Sequence, residues 1–370
     1  MADMEEYHNI INFGAGPAKI PREVLEEIKG ELLSFNNTGM SITELSHRSK
    51  EYMEINQQTQ ELLRQLLNIP ANYSVLFVAG GGQGQFAAIP LNLIGRTGTA
   101  DYLVTGIWSR IAAEEAKNHG NINIAVDSQD EHSIPDPKTW KLNSNASYVY
   151  YCDNDTIQGV EFPFTPETNG VPLVADMSSN FLTKRIDVSK FGVIFAASQK
   201  NLGTAGIAVV IIRNDLLGEA QKHCPNVLNY TLLSKYTSIY NTPPIFSVYI
   251  LGKILQWVKK EGGLDRMESL SRHKSQLIYE YIDQTEGFYN IFANKPVRSK
   301  INICIRIGNS TGDADLEEKF IQEAELHNMY QLRGHHLVKG IRISLFNSIT
   351  IKEVKTLLKF MIEFEAKHRK

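Results

Sequence analysis

Between positions 73 and 213 one pattern recurs seven times: a short apolar run, most often closed by Gly, Ser, Asp or Asn, followed by a helix-like or polar connection. The runs are SVLFVAGGG (74–82), ADYLVTG (100–106), INIAVD (122–127), SYVYYCDN (147–154), VPLVADMSSN (171–180), FGVIFAASQ (191–199) and GIAVVIIR (206–213). Strands apolar at successive positions bury both faces, so they need a layer of helices on each side, and the intervening segments can supply it. The chain is therefore expected to be α/β, with a central, mainly parallel sheet of seven strands.

Helical spacing flanks this region. Residues 21–33 place Val24, Leu25, Ile28, Leu32 and Leu33 on one face after a starting proline, and 50–67 reads as a second helix. After Pro243 and Pro244 come helical patterns at 245–260 and 264–286, separated by EGG. Beyond them, SKINICIRIG (299–308), a helix over 313–328, GIRISLFN (340–347) and a terminal helix read as a smaller α+β unit. A hinge near Gly262 is expected to divide a large domain, 16–262, from a small one, 263–370.

Charge excludes several partners. With 38 basic and 41 acidic residues interspersed, net charge is −3, so neither nucleic acid nor a membrane surface is an expected partner. Cys152, Cys224 and Cys304 form no CxxC pair or zinc spacing; buried, reduced thiols are expected, and no metal. The acidic start MADMEEYHNI has no basic n-region or apolar core, and no apolar run approaches the ~20 residues of a spanning helix, so the expected location is cytoplasmic.

In open α/β sheets ligands sit beyond the carboxyl ends of the strands, which directs attention to the residues closing each run. GGGQGQFAAIP (80–90) leaves a strand and enters a helix; glycines let backbone N–H groups approach an anion and the helix start adds favourable partial charge, so a phosphate is expected there. Gly82, Gly84 and Ala87 also satisfy the dinucleotide fingerprint G-x-G-x-x-A, which calls for an acid about 20 residues on at the end of the next strand. Asp101 instead reads as preceding its strand YLVTG, which counts against a nicotinamide site. Asp176 closes VPLVAD, Lys200 follows the next strand, and Trp108 stands just beyond another. Each has an ordinary reading: an Asx turn or cap for Asp176, a surface residue or salt bridge for Lys200, core packing for Trp108. Together they are the parts pyridoxal phosphate needs: an amine for the Schiff base, a carboxylate for the ring nitrogen, a phosphate cradle and a flat aromatic cover.

These residues lie in ordered blocks, NFGAGPAKIP (12–21), SHRS (46–49), GGGQGQFAAIPLNL (80–93), DMSSNFL (176–182), AASQKNLG (196–203), YNTPP (240–244) and GIRISLFN (340–347), and the set resembles the phosphoserine aminotransferase family over nearly the whole chain. The resemblance implies a homodimeric fold-type I transferase dependent on pyridoxal phosphate, with residues 1–15 joined to the small domain. It implies ping-pong exchange between glutamate and 3-phosphohydroxypyruvate, yielding 2-oxoglutarate and O-phosphoserine for serine biosynthesis. By motif position, Lys200 would be the Schiff-base lysine, Asp176 the ring-nitrogen partner, Trp108 the stacking ring and Thr156 a ligand of the ring-hydroxyl side. Gly82, Gln83 and Gln199 would hold the cofactor phosphate, with Asn241 and Thr242 reaching it from the neighbouring subunit.

On the substrate side the resemblance implies His47, Arg48, His335, His336 and Arg342. An arginine fork suits a carboxylate, which makes Arg342 the expected anchor of the α-carboxylate, and Arg48 with His335 the expected holders of the substrate phosphate. Where the family usually carries His-Arg, this chain has His335-His336, and Ala15 stands in place of the proline usual in GPGPAK. The rival readings are another fold-type I aminotransferase or desulfurase, a nicotinamide-dependent dehydrogenase, and a phosphate-binding protein without catalysis.

Overall fold

The computed structural model describes residues 10–128 and 132–369. All seven apolar runs contain a strand of one sheet: β1 (Tyr73–Ala79), β2 (Thr99–Val104), β3 (Asn121–Asp127), β4 (Val149–Cys152), β5 (Leu173–Asp176), β6 (Val193–Ala197) and β7 (Ile207–Arg213). Their order is β1-β7-β6-β5-β4-β2-β3, and only β7 runs antiparallel to its neighbours.

Alternation along each strand explains why both faces are apolar. Val75, Phe77, Val209 and Ile211 enter one core; Leu76, Val78, Val210 and Ile212 enter another on the opposite face. The helices are α1 (Arg22–Glu31), α2 (Lys50–Leu67), α3 (Gly81–Leu93), α4 (Ile107–Ala116), α5 (Tyr230–Lys235), α6 (Ile245–Lys260), α7 (Gly263–Ile282), α8 (Ala314–Leu326) and α9 (Ile351–His368). Tyr52 and Leu63 of α2 and Val248, Leu251 and Leu255 of α6 cover the first face, while Phe86 and Ile89 of α3 and Ala112 and Ala113 of α4 cover the second. Each large aliphatic side chain buried in this way contributes about 1.5–3 kcal/mol relative to exposure.

A third core gathers around β8 (Tyr289–Ile291), β9 (Asn302–Ile307) and β10 (Ile341–Ser344), paired antiparallel in that order. Phe320 of α8 and Leu357, Met361 and Phe364 of α9 pack there, as do Ile11 and Phe13 from the start of the described chain. A parallel pairing of Ile11–Asn12 with Met329–Tyr330 fixes that segment. Helix α7 bridges the cores: Leu264 and Met267 belong to the first, Ile278 and Ile282 to the third.

Two readings need correction. Asp101 lies inside β2, not ahead of it; it is fully buried and accepts hydrogen bonds from Asn143 N (2.6 Å) and Asn123 Nδ2 (2.9 Å). Those two donors make a buried acid compatible with a strand interior, and Asp101 is still not at the carboxyl end where a ribose would need it. Helix α7 stops at Ile282 rather than 286, where the chain turns through Glu286 (φ 45°) and Gly287 (φ 86°) into β8. Among the described residues no helix is long and apolar enough to cross a membrane.

Candidate active site

Strands β1, β2, β4, β5 and β6 all end at one edge of the sheet, and antiparallel β7 begins there. A cleft of about 570 Å³ opens at this edge, within the usual size for a small-molecule site. Gly82, Gln83, Trp108, Asp176, Gln199 and Lys200 all line it.

Gly80 (φ 105°) and Gly81 (φ 62°) adopt left-handed backbone, which lets β1 turn directly into α3. The first N–H groups of α3 have no acceptor within the helix, so its start presents donors and partial positive charge to the cleft. A Cβ added to Gly82 would come within 3.5 Å of Ala197 Cβ and 3.9 Å of Ser178 Oγ, both cleft residues, so the glycine keeps that space open.

Asp176 is the last residue of β5 and is buried. Its Oδ1 accepts from Ser178 N (2.9 Å) and Ser178 Oγ (2.6 Å), and that hydroxyl in turn accepts from Ala197 N (3.0 Å). The Asx turn is therefore present, and it serves to hold the carboxylate against β6. The second carboxylate oxygen has no hydrogen-bond partner among the described residues. Burial raises the pKa of Asp176, against the opposing pull of Lys200 and of Ser178.

Lys200 follows β6 by three residues and is half-buried, with part of its surface open to the cleft. Burial lowers its pKa; Asp176, Cys152 and Asp155 oppose the shift, and Arg342 adds to it. No ion pair ties Lys200 to Asp176 among the described residues, so the amine remains available. Its Nζ lies 6.0 Å from the centroid of the Trp108 ring.

Trp108 sits in the first turn of α4, and its Nε1 donates to Thr156 Oγ1 (3.0 Å). Thr156 is buried, and its carbonyl accepts from Arg342 Nη1 (3.3 Å), which brings β10 of the third core to this edge. Burial lowers the Arg342 pKa, partly offset by Cys304 and Asp155. His335 and His336 stand on a loop closed by Gly334 N donating to Gly340 O (2.8 Å), with their rings 4.2 Å apart. Burial, His336 and Arg342 push the His335 pKa down. His47, Arg48, Asn241 and Thr242 do not line the cleft of a single chain; His47 is half-buried and the other three are exposed.

Several cleft residues escaped the sequence reading. Cys152, Asn154 and Ser178 line it, as do Gly16 and Pro17, which belong to a recognised block without an assigned place. Asp155 was also missed, although an acid within the run YCDNDT was a visible signal. All three cysteines are buried and free.

Comparisons with known proteins agree with this geometry. The Aminotransferase class-V family profile matches residues 10–357. The phosphoserine aminotransferase of Drosophila melanogaster is 50% identical over 357 residues, 96% of this chain and 98% of that one. The phosphoserine aminotransferase of Nitrosomonas europaea is 44% identical, covering 97% and 99%. Among solved structures, PLP-bound phosphoserine aminotransferase from Trichomonas vaginalis superposes with a TM-score of 0.92 at 39% identity, over 95% of this chain and 99% of that one.

Proposed function

The chain belongs to the class-V aminotransferase family, and from that premise we propose that the cleft at the sheet edge is the active site of the reaction its relatives are named for. The chain moves the amino group of glutamate to 3-phosphohydroxypyruvate, giving 2-oxoglutarate and O-phosphoserine, with pyridoxal phosphate as cofactor. The single observation that carries the site assignment is the meeting, in one cleft, of an unpaired lysine amine, a buried carboxylate with one oxygen unoccupied and a glycine-lined helix start. Those residues fit the cofactor: an amine for its aldehyde, an anion for its ring nitrogen, and N–H donors for its phosphate.

When bound, pyridoxal phosphate supplies an electron-withdrawing ring that stabilises negative charge at the substrate α-carbon. Lys200 would hold the cofactor through its amine, and its Nζ is the group of this chain that would take up and return the substrate α-proton. Burial lowers the pKa of this amine, which favours its neutral form over the ammonium. Asp176, oriented by Ser178 through one oxygen, would use the other to keep the ring nitrogen protonated. Trp108 would cover the ring face, Thr156 would bind on the ring-hydroxyl side, and Gly82, Gln83 and Gln199 would hold the phosphate. Arg342 would anchor the α-carboxylate, Arg48 with His335 and His336 would serve the phosphorylated end of the substrate, and His47 would stand on the same substrate side.

The same proposal includes a homodimer in which Asn241 and Thr242 complete the phosphate site of the neighbouring subunit. Their exposure beside exposed Tyr236 and Tyr240 supports it. It also includes the division at 262, supported by the separate third core, with the N-terminal segment joined to the smaller part; residues 1–9 of that segment lie outside the described residues. A cytoplasmic location is in keeping with three buried, free thiols. The test is spectroscopic: glutamate added to the cofactor-loaded protein should convert its visible absorption, and 3-phosphohydroxypyruvate should restore it. Failure of both conversions would end this reading.

A further inference from the structure

Helix α4 has only half a cap of its own: Ser109 Oγ accepts from Gly106 N (3.1 Å), but no side chain at the N-cap serves the N–H groups that follow. Its N-cap residue is Gly106, which has no side chain, so the N–H groups of Ile107 and Trp108 need acceptors from elsewhere. They come from the turn after β4: Asp155 Oδ2 accepts from Trp108 N (3.1 Å), and Gln158 Oε1 accepts from Ile107 N (3.2 Å). A Cβ on Gly106 would lie 2.4 Å from Asp155 Oδ2 and 2.7 Å from Gln158 Oε1, so the glycine makes the room that both acceptors occupy.

Asp155 is itself held. Its other oxygen, Oδ1, accepts from Ile157 N (2.8 Å) and Gln158 N (3.4 Å), and both Asp155 and Gln158 are buried. One residue further on, Thr156 Oγ1 takes the indole proton of Trp108. The same turn thus grips Trp108 twice, through its backbone N–H and through its ring N–H. Two grips on one residue restrict both the helix start and the ring plane.

We propose that Asp155, assisted by Gln158, is a positioning residue that sets the Trp108 ring over the cleft and the Thr156 hydroxyl beside it by capping α4 from a separate turn. This rests on the assignment of Trp108 and Thr156 to the cofactor site. The charge of Asp155 matters because carboxylate oxygens only accept, and both face N–H donors. In Asp155→Asn the shape is kept, yet one of the two positions becomes an NH₂ group facing a backbone N–H, so one side of the clamp turns repulsive.

The test uses Asp155→Asn as apo-protein and after loading with pyridoxal phosphate. In the apo-protein, amide hydrogen exchange should accelerate at Trp108 or Ile157, the N–H groups that face the two oxygens of Asp155, while exchange in β5 and β6 stays as in wild type. In the loaded protein, the cofactor dissociation constant should rise roughly 10- to 100-fold, and the visible circular dichroism of the bound cofactor should fall. A Gln158→Leu variant removes only the Ile107 acceptor; it should accelerate exchange at Ile107 and move the cofactor signals in the same direction by less, and it carries the test if Asp155→Asn does not fold. Unchanged local exchange in the variant that folds overturns the cap, and accelerated exchange with unaltered cofactor dichroism and affinity overturns the positioning role. If wild type itself binds no cofactor, the site assignment fails while the exchange result still judges the cap.

Discussion

Burial lowers the pKa of two lysines in this fold, and they differ in what their protons meet. Lys274, on α7, is 1% exposed, and its Nζ donates to Leu345 O (2.9 Å), Phe346 O (2.7 Å) and Ile349 O (3.0 Å). An ammonium has three N–H donors and no lone pair, so three carbonyls satisfy it completely. Lys200 makes no hydrogen bond among the described residues and faces an open cleft. An amine whose donors are all taken is a brace; one whose donors are free is open to a ligand. Burial lowers the pKa of both, to about 7 for Lys274, where Glu353 pulls it upward and Lys19 downward. The carbonyls act in the same direction as Glu353.

The brace also has a location. The segment it holds carries Asn347, whose N–H donates to Asn201 Oδ1 (2.9 Å) and whose Nδ2 donates to Leu182 O (2.9 Å). Asn201 directly follows Lys200, so Lys274 steadies the turn that connects β10 to the catalytic edge.

The comparison breaks most readily at Lys200. Lys200→Ala should lower kcat by roughly 100- to 10,000-fold, measured as 2-oxoglutarate formation, while the thermal midpoint of the apo-protein stays the same or rises. A lost midpoint of many degrees would make Lys200 a brace as well. Lys274→Met should do the reverse, lowering unfolding free energy by about 2–5 kcal/mol in denaturant titrations, because three buried carbonyls lose their donors. Turnover per folded molecule should change far less than in the Lys200 variant.

A pH series sharpens the contrast. Because the folded pKa of Lys274 lies below that of an unfolded lysine, the unfolded chain binds more protons between pH about 7 and the ordinary lysine value of ~10.4. The wild-type stability relative to Lys274→Met should therefore rise with pH across that window, and be level below it. A difference that stays flat throughout would mean that the three carbonyls and Glu353 cancel the burial effect. The smallest expected effect is at the rim. An imidazole aids phosphate binding only when protonated, whereas arginine is always charged. His336→Arg should lower the KM for O-phosphoserine severalfold by supplying a permanently charged fork. An unchanged KM would remove His336 from the phosphate site.

The legible part of the fold was the part with local periodicity. β1 to β7 stood out because unbroken apolar runs such as AVVII in β7 have no other stable use than a covered sheet. Two-residue strands such as Ile11–Asn12 and Asn154–Asp155 are too short to carry a period, and the end of α7 was overrun because DQTE at 283–286 has no glycine until Gly287. At the cleft, Lys200, Asp176, Trp108 and Gly82 were legible because each directly follows or closes a strand. Asp155 was passed over although an acid is visible in YCDNDT, because its partners Trp108 N and Ile157 N are backbone groups that leave no side-chain signature to assign it a role.

The sequence by itself determined the strands, the sheet edge at which chemistry could occur and the residue types waiting there, because apolar alternation and glycine backbone freedom act over a few neighbouring positions. Tertiary structure alone decided which lysine would be quiet. The acceptors that saturate Lys274 come from residues 71 to 75 positions away, and nothing in RHKSQL records that they exist. Hydrogen-bond satisfaction of a buried amine is set by whatever backbone the fold brings against it, and that is a property of the packed chain.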